Sequence, residues 1–449
     1  KAFNGDPTDP QSFDLLDKLM AGQSYRLAFW RVASDEINYR RFFDVNDLAA
    51  IRVELPEVFQ ATHPVIFQLL AEGKAHGLRI DHPDGLWDPS YYFHQLQETH
   101  LTGWLAAQLP LEADRLHTKE TITDWFSQQT RQQKGSSGPA LPLYVVVEKI
   151  LAHGESLRPH WEIHGTTGYD FLNAVNGIFV DQKNHKTFDK IYESFIGYRV
   201  DYHNLVNSCK KMIMLISLSS EITVISYQLD RITERNRRYR DFTLNSLTFA
   251  LREVIAGLPA YRTYITGPDT VSPQDRTYIE AAVREAKRRN PRTAPALFDF
   301  IHDTLLLDII DDFQEQDRGR LIEFVMKFQQ LTGPVMAKAV EDTAFYVYNR
   351  LVALNEVGGH PEHFGTSVAA FHRENLHRQQ HWPHSLLATT THDTKRSEDV
   401  RARIAVLSEI PREWRTVLSR WSRLNVSKKT LVNGEPAPGT TSICCIRRC

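Results

Sequence analysis

Apolar positions recur at helical spacing over residues 57–76, where Val58, Phe59, Val65, Ile66, Leu69 and Leu70 would share one face. The pattern then changes. "GLRID" (77–81) reads as a short strand that ends in charge, and "HPDG" (82–85) reads as a turn. Residues 90–131 return to helical spacing, and the polar stretch 132–142 reads as a linker. It leads into "LYVVVEKI" (143–150), a buried strand by its β-branched run, which becomes charged at Glu148 and Lys149.

Toward the amino end, residues 11–28 predict a helix followed by an aromatic stretch, and 34–50 a surface loop. Residues 153–170 are loop-like, and most of 171–378 is helical, with helices over 236–257, 274–289 and 316–331. Two helix starts are legible, at Ser272 before Pro273 and at Asp299. Residues 384–407 predict a strand, a loop carrying His392 and Asp393, and a helix. No repeat of solenoid period is present.

Three predicted strands therefore end in carboxylates, Asp81, Glu148 and Asp393, with helices between them. Strand–helix alternation argues for a parallel α/β architecture. In a (β/α)8 TIM barrel the carboxyl ends of the strands converge on one face, which carries the chemistry. Each signal also has a plainer explanation. Arg79 and Asp81, two apart on a strand, share a face and can form a structural ion pair. Glu148–Lys149 can be a solvated strand end, and Asp393 with Thr394 can cap a helix. What sets the three apart is their recurrence after three strands. Glycoside chemistry uses one carboxyl to protonate the leaving oxygen and another to attack or to activate water. A third can stabilise positive charge developing at the anomeric carbon.

Composition narrows the picture by exclusion. The chain has 449 residues, 42% hydrophobic and 24% charged, with a net charge of −2. Such a balance predicts neither a nucleic-acid nor a membrane-surface partner. No run of 18 apolar residues is present. Of four cysteines, Cys444, Cys445 and Cys449 crowd the tail and only Cys209 lies in the body, which suits a reducing cytoplasm without structural disulfides. No phosphate loop, dinucleotide fingerprint or metal cluster is recognisable, so no cofactor is expected.

"GLRIDHPDGLWDP" (77–89) resembles the nucleophile segment of the α-amylase clan of glycoside hydrolases, and more narrowly that of the maltooligosyltrehalose synthases. "VVVEKIL" (145–151) resembles their acid/base strand, and "TTTHDTKRSEDVRAR" (389–403) their third catalytic segment. Further blocks resemble the synthases: residues 25–54, with Ile51 where Leu is usual, "GTTGYDFLN" (165–173), "LREVIAGLPAYRTYI" (251–265) and "VMAKAVEDTAFYVYNRL" (335–351), with Ala339 where Gly is usual.

The resemblance implies Asp81 as nucleophile, Glu148 as general acid/base and Asp393 as transition-state stabiliser. It implies Arg79 and His392 as orienting and sugar-binding partners, with His82 and Lys338 lining the reducing-end side of the cleft. The implied enzyme is an isomerase that turns the reducing-end α-1,4 bond of a maltooligosaccharide into an α,α-1,1 bond, coupled to a trehalose-releasing hydrolase. A clan hydrolase, or a truncated chain without activity, is the alternative. Retaining chemistry predicts Asp81 and Glu148 carboxyls about 5–5.5 Å apart, and a raised Glu148 pKa.

The family pattern begins upstream of this chain, so an internal fragment of an incomplete barrel is expected. The expected organisation is a partial barrel over 1–170, a helical insertion or lid over 171–378, a return to the barrel over 379–426 and an irregular tail over 427–449. Two readings of "SICCIRRC" (442–449) stand open. A shifted reading frame would restore a stretch resembling the family's next segment. A metal-binding tail would lack a fourth ligand nearby.

Overall fold

The computed structural model describes residues 3–108, 141–428, 431–432 and 435–436. The end of the helix expected over 90–131, most of the linker 132–142 and the tail 442–449 lie outside the described residues.

The α/β part is built around two strands, β3 (Gly77–Ile80) and β4 (Tyr144–Val147), preceded by a hairpin of β1 (Arg41–Phe42) and β2 (Val45–Ala49). β3 and β4 run parallel, in register from Gly77↔Tyr144 to Ile80↔Val147. Val145, Val146 and Val147 are buried, as a β-branched run in a parallel pair requires. Beyond β4, Val147 bridges in parallel to Thr166, and the Leu386 amide donates to the Thr166 carbonyl at 3.0 Å. Four passes of the chain thus lie side by side, in sequence order. Gly168 (φ +94) permits the last approach, since a Cβ there would meet Leu386 O at 2.6 Å and Ala388 N at 2.7 Å. Phe93, Leu143, Val145, Val147, Leu157, Trp161 and Ile163 form the core of this half.

The helical half has a separate, larger core. Helices Ser219–Thr233, Leu244–Gly257, Pro273–Arg289, Pro295–Leu305 and Glu315–Met336 bury Ile222, Leu229, Leu251, Val254, Ile279, Phe298, Leu321 and Phe324 against one another. No single helix among the described residues is long and apolar enough to cross a membrane. After Met336 the last helix widens into a π-helical stretch, Ala337–Ala344. Such stretches are frequent at functional sites.

Several sequence expectations need correction. Residues 34–50 are not all loop, because β1 and β2 pair antiparallel within them. The tie is long-range: buried Arg41 bonds Glu221 through Nη2 at 2.7 Å and Nε at 3.0 Å. The helix expected over 57–76 is two helices, Pro56–Thr62 and Pro64–Ala71, because Pro64 lacks the amide needed to continue the first. The helix expected from 236 begins at Leu244, where Thr243 caps Ser246 N. Ser272 caps Pro273–Arg289 as expected, but Asp299 lies inside Pro295–Leu305 and pairs with Lys287 instead. The strand expected after 384 does not form. That segment bonds its neighbour at Leu386, then turns, leaving Leu386 and Leu387 exposed.

Candidate active site

Because Ile80 and Val147 are in register, Asp81 and Glu148 leave the two strands at the same level, with Glu148 N donating to Ile80 O at 2.8 Å. His82 then reverses the chain in the left-handed region (φ +44), and its amide donates to Glu148 Oε2 at 2.9 Å. The turn after one strand thereby holds the carboxylate of the other. Burial pushes the Glu148 carboxyl up to about 8; the His82 amide opposes the rise, and the charges of Asp81, Glu341 and Asp84 add to it. Arg79 Nη1 donates to Asp81 Oδ1 at 2.6 Å, so the ion pair read from the spacing exists and orients Asp81.

Asp393 comes from the far end of the sequence and is tied to Tyr169, whose phenol lies near enough to feel the charges of both Asp393 and Glu148. Its loop, 389–397, consists of turns and bends. The Tyr169 hydroxyl bonds Thr391 Oγ1 at 2.9 Å and donates to Asp393 Oδ2 at 3.4 Å. Burial pushes the Tyr169 phenol up to about 12, and the nearby charges of both Asp393 and Glu148 raise it further. Tyr169 therefore touches the loop acid and lies within electrostatic reach of Glu148. The helix that follows has Ser397 at its N-cap position, with no side-chain cap bond, so Asp393 is not its cap. His392 pairs with Asp393 at 3.0 Å and is 70% exposed at its side chain.

His82 and Lys338 share a wall. The His82 ring lies 4.4 Å from Phe43, centroid to centroid, and Lys338 Nζ stands 5.5 Å from the same ring on its way to Asp44 and Asp342. Burial pushes His82 down to about 4, so it is neutral at pH 7. A neutral imidazole can still donate one hydrogen bond and accept another.

The plainer explanation of Glu148–Lys149 as a solvated end fails at Lys149. Its side chain is 1% exposed, and Nζ lies 3.1 Å from Asp84 and 3.1 Å from Glu155. Tyr264 donates to Asp84, and Arg262 Nη1 donates to the carbonyls of Asp84 and Leu86. Lys149 thus fastens the β3 turn to the end of β4.

Sequence reasoning missed Tyr169, Asp84, Lys149, Glu155 and the pair Tyr261–Glu341. Glu341 rides on the π-helical stretch and accepts from the Tyr261 hydroxyl, and burial pushes it up to about 7. The signal for Tyr169 and Glu341 was present, since both lie in the quoted blocks 165–173 and 335–351. Nothing in their spacing said that they face the acids.

No family model matches the chain. Among solved structures it is similar to the maltooligosyltrehalose synthase of Arthrobacter ramosus, with a TM-score of 0.72 and 33% identity, over 94% of this chain and 46% of that one. A Sulfolobus tokodaii structure, titled "hypothetical maltooligosyl trehalose synthase", matches at 0.66 and 30% identity, over 97% of this chain and 46% of that one. A Mycobacterium tuberculosis protein named "Putative maltooligosyl trehalose synthase" is 33% identical over 92% of this chain. The chain spans 44% of the length of that curated relative. The resemblance drawn from the motifs is thereby borne out: along nearly its whole length the chain is related to one stretch of these synthases.

Proposed function

We propose that this chain carries the reaction centre of an intramolecular transglucosylase that converts the reducing-end α-1,4 bond of a maltooligosaccharide to α,α-1,1. Asp81 attacks the anomeric carbon of the penultimate glucose while Glu148 gives its proton to the departing oxygen. The bond to the terminal glucose breaks and a glycosyl ester forms on Asp81. The freed glucose turns in place. Glu148 takes the proton from its anomeric hydroxyl, whose oxygen attacks the ester and releases Asp81. Two inversions retain the configuration. Asp393 faces the charge that develops at the anomeric carbon, Arg79 orients Asp81, and His392, His82 and Lys338 hold sugar hydroxyls.

The observation that carries this reading is Glu148, a carboxyl at a strand end level with Asp81, gripped by the His82 amide at 2.9 Å and pushed up to about 8 by burial. Such a group is protonated at neutral pH and can donate where an ordinary carboxyl cannot. The parallel passes at β3, β4, 166 and 386 fit one side of a (β/α)8 barrel of the α-amylase type. The helices over 171–378 serve as a lid that keeps water from the ester. The product suits a cytoplasmic pathway in which a hydrolase releases trehalose from it.

Incubation with maltopentaose tests the reading. Loss of reducing ends without release of glucose is expected. A net gain of reducing ends would identify a hydrolase instead, and no change at all would identify a chain that does not catalyse.

A further inference from the structure

Asp393 has no strand beneath it. Its side chain is 49% exposed, and its hydrogen bond from Tyr169 is long, at 3.4 Å. A buried ion pair below grips its loop. Glu356 is fully buried, and its carboxylate accepts the backbone amides of Lys395 at 2.5 Å and Arg396 at 3.1 Å, and Arg401 Nη1 at 3.2 Å. Arg401, also buried, projects from helix Glu398–Ala405 and donates to the carbonyls of Thr389 and Arg396. One pair therefore grips the loop on both sides of Asp393, through its amides and its carbonyls. The Glu398 amide, donating to Thr390 Oγ1 at 2.9 Å, closes the loop's base.

Charge and donor chemistry make the grip specific. A carboxylate only accepts, so it can hold two amides and a guanidinium at once. The amide of a glutamine would set N–H against N–H at one of these contacts and leave a buried donor unmet. The pair touches neither the cleft nor Asp393 itself. Its influence runs through the backbone of 395 and 396, two and three residues beyond the acid.

We infer that Glu356 and Arg401 are positioning residues for Asp393, placing its carboxylate against the reacting sugar. The inference rests on the reading of Asp393 as the third acid of the transglucosylase, so one arm of its test is independent of activity. In that arm, amide hydrogen exchange is followed on this chain and on E356Q, R401M and the double variant. Exchange within 389–397 should rise by about tenfold or more in each, while 77–86 and 143–150 keep their protection. In the activity arm, kcat on maltopentaose should fall about a hundredfold with KM changed by less than about threefold, as a small misplacement of a reacting group implies. The double variant should be no slower than the slower single one, because both break the same grip. Should E356Q fail to fold, E356D and R401K keep the charges and should show the same local loosening, with part of the rate retained. Unchanged exchange over 389–397, or exchange raised equally throughout the molecule, overturns the inference. So do losses of kcat that simply add. An inactive parent chain whose variants still loosen 389–397 would sink the transglucosylase reading and leave the grip established.

Discussion

Asp81 and Glu148 are held in one way and Asp393 in another. The first two stand at the ends of parallel strands whose ladder sets their level, and the His82 amide crosses from one to grip the other. Beneath them the Asp84–Lys149–Glu155 cluster locks turn to strand. Asp393 stands on a loop without a ladder, held through one buried glutamate–arginine pair and one tyrosine hydroxyl. A strand distributes the placement of a side chain over many backbone bonds, whereas the loop relies on a few side chains, chief among them Glu356 and Arg401. The three acids therefore differ in their sensitivity to a distant substitution.

The largest effect should come from the chemistry at the strand ends. E148Q removes the proposed proton donor and should lower kcat by roughly 10²–10⁴-fold with substrate still bound, which single-turnover assays and isothermal titration on maltopentaose would check. Substituting beneath the strands should instead damage stability. K149M would leave Asp84 and Glu155 without their buried cation and should cost about 3–5 kcal/mol, read from denaturant unfolding. A K149M chain as stable as the parent would mean that this half is not locked as described.

On the loop side, Y169F removes the hydroxyl between Thr391 and Asp393. It should slow kcat by about tenfold, the equivalent of roughly one hydrogen bond, with little change in melting temperature. A loss as large as that of E148Q would put the tyrosine in the chemistry itself and blur the contrast between the two supports.

The smallest effect is one of pH. Glu148 is raised in the folded chain, to about 8, chiefly by burial. The unfolded chain therefore releases this proton at lower pH than the folded one. The stability tied to the group is fully present below its unfolded pKa and is lost as pH rises through about 8. E148Q should accordingly raise the melting temperature relative to the parent at pH 8 and not at pH 4, read by calorimetry at both. The rate of ester formation in the parent should fall above about pH 8 for the same reason, since the acid is then ionised.

Much of the candidate site was legible residue by residue. "VVVEKI" announced its strand through a β-branched run and "GLRID" through a short apolar stretch ahead of a turn cluster, and the acids at their ends followed. The Arg79–Asp81 pair followed from a period of two. The third acid was legible as a motif but not as a structure, because its strand proved to be a turn-rich loop. Lys149 looked solvated because sequence shows a charge and not its surroundings. Asp84 precedes it by some sixty positions, and only folding brings the two together. The hairpin at 41–49 escaped for a similar reason, since its anchor, Glu221, belongs to a helix of the other half.

By itself the sequence determined the local elements, the strand-end acids and the likeness to a synthase family, because periodicity and motif act over a few neighbouring residues. The tertiary structure alone decided which buried charges meet, that Glu148 carries a raised pKa, and that Glu356 and Arg401 carry the loop of Asp393. Those outcomes depend on burial and on contacts between distant segments. A residue's dielectric surroundings and partners come into being only when the chain has closed on itself.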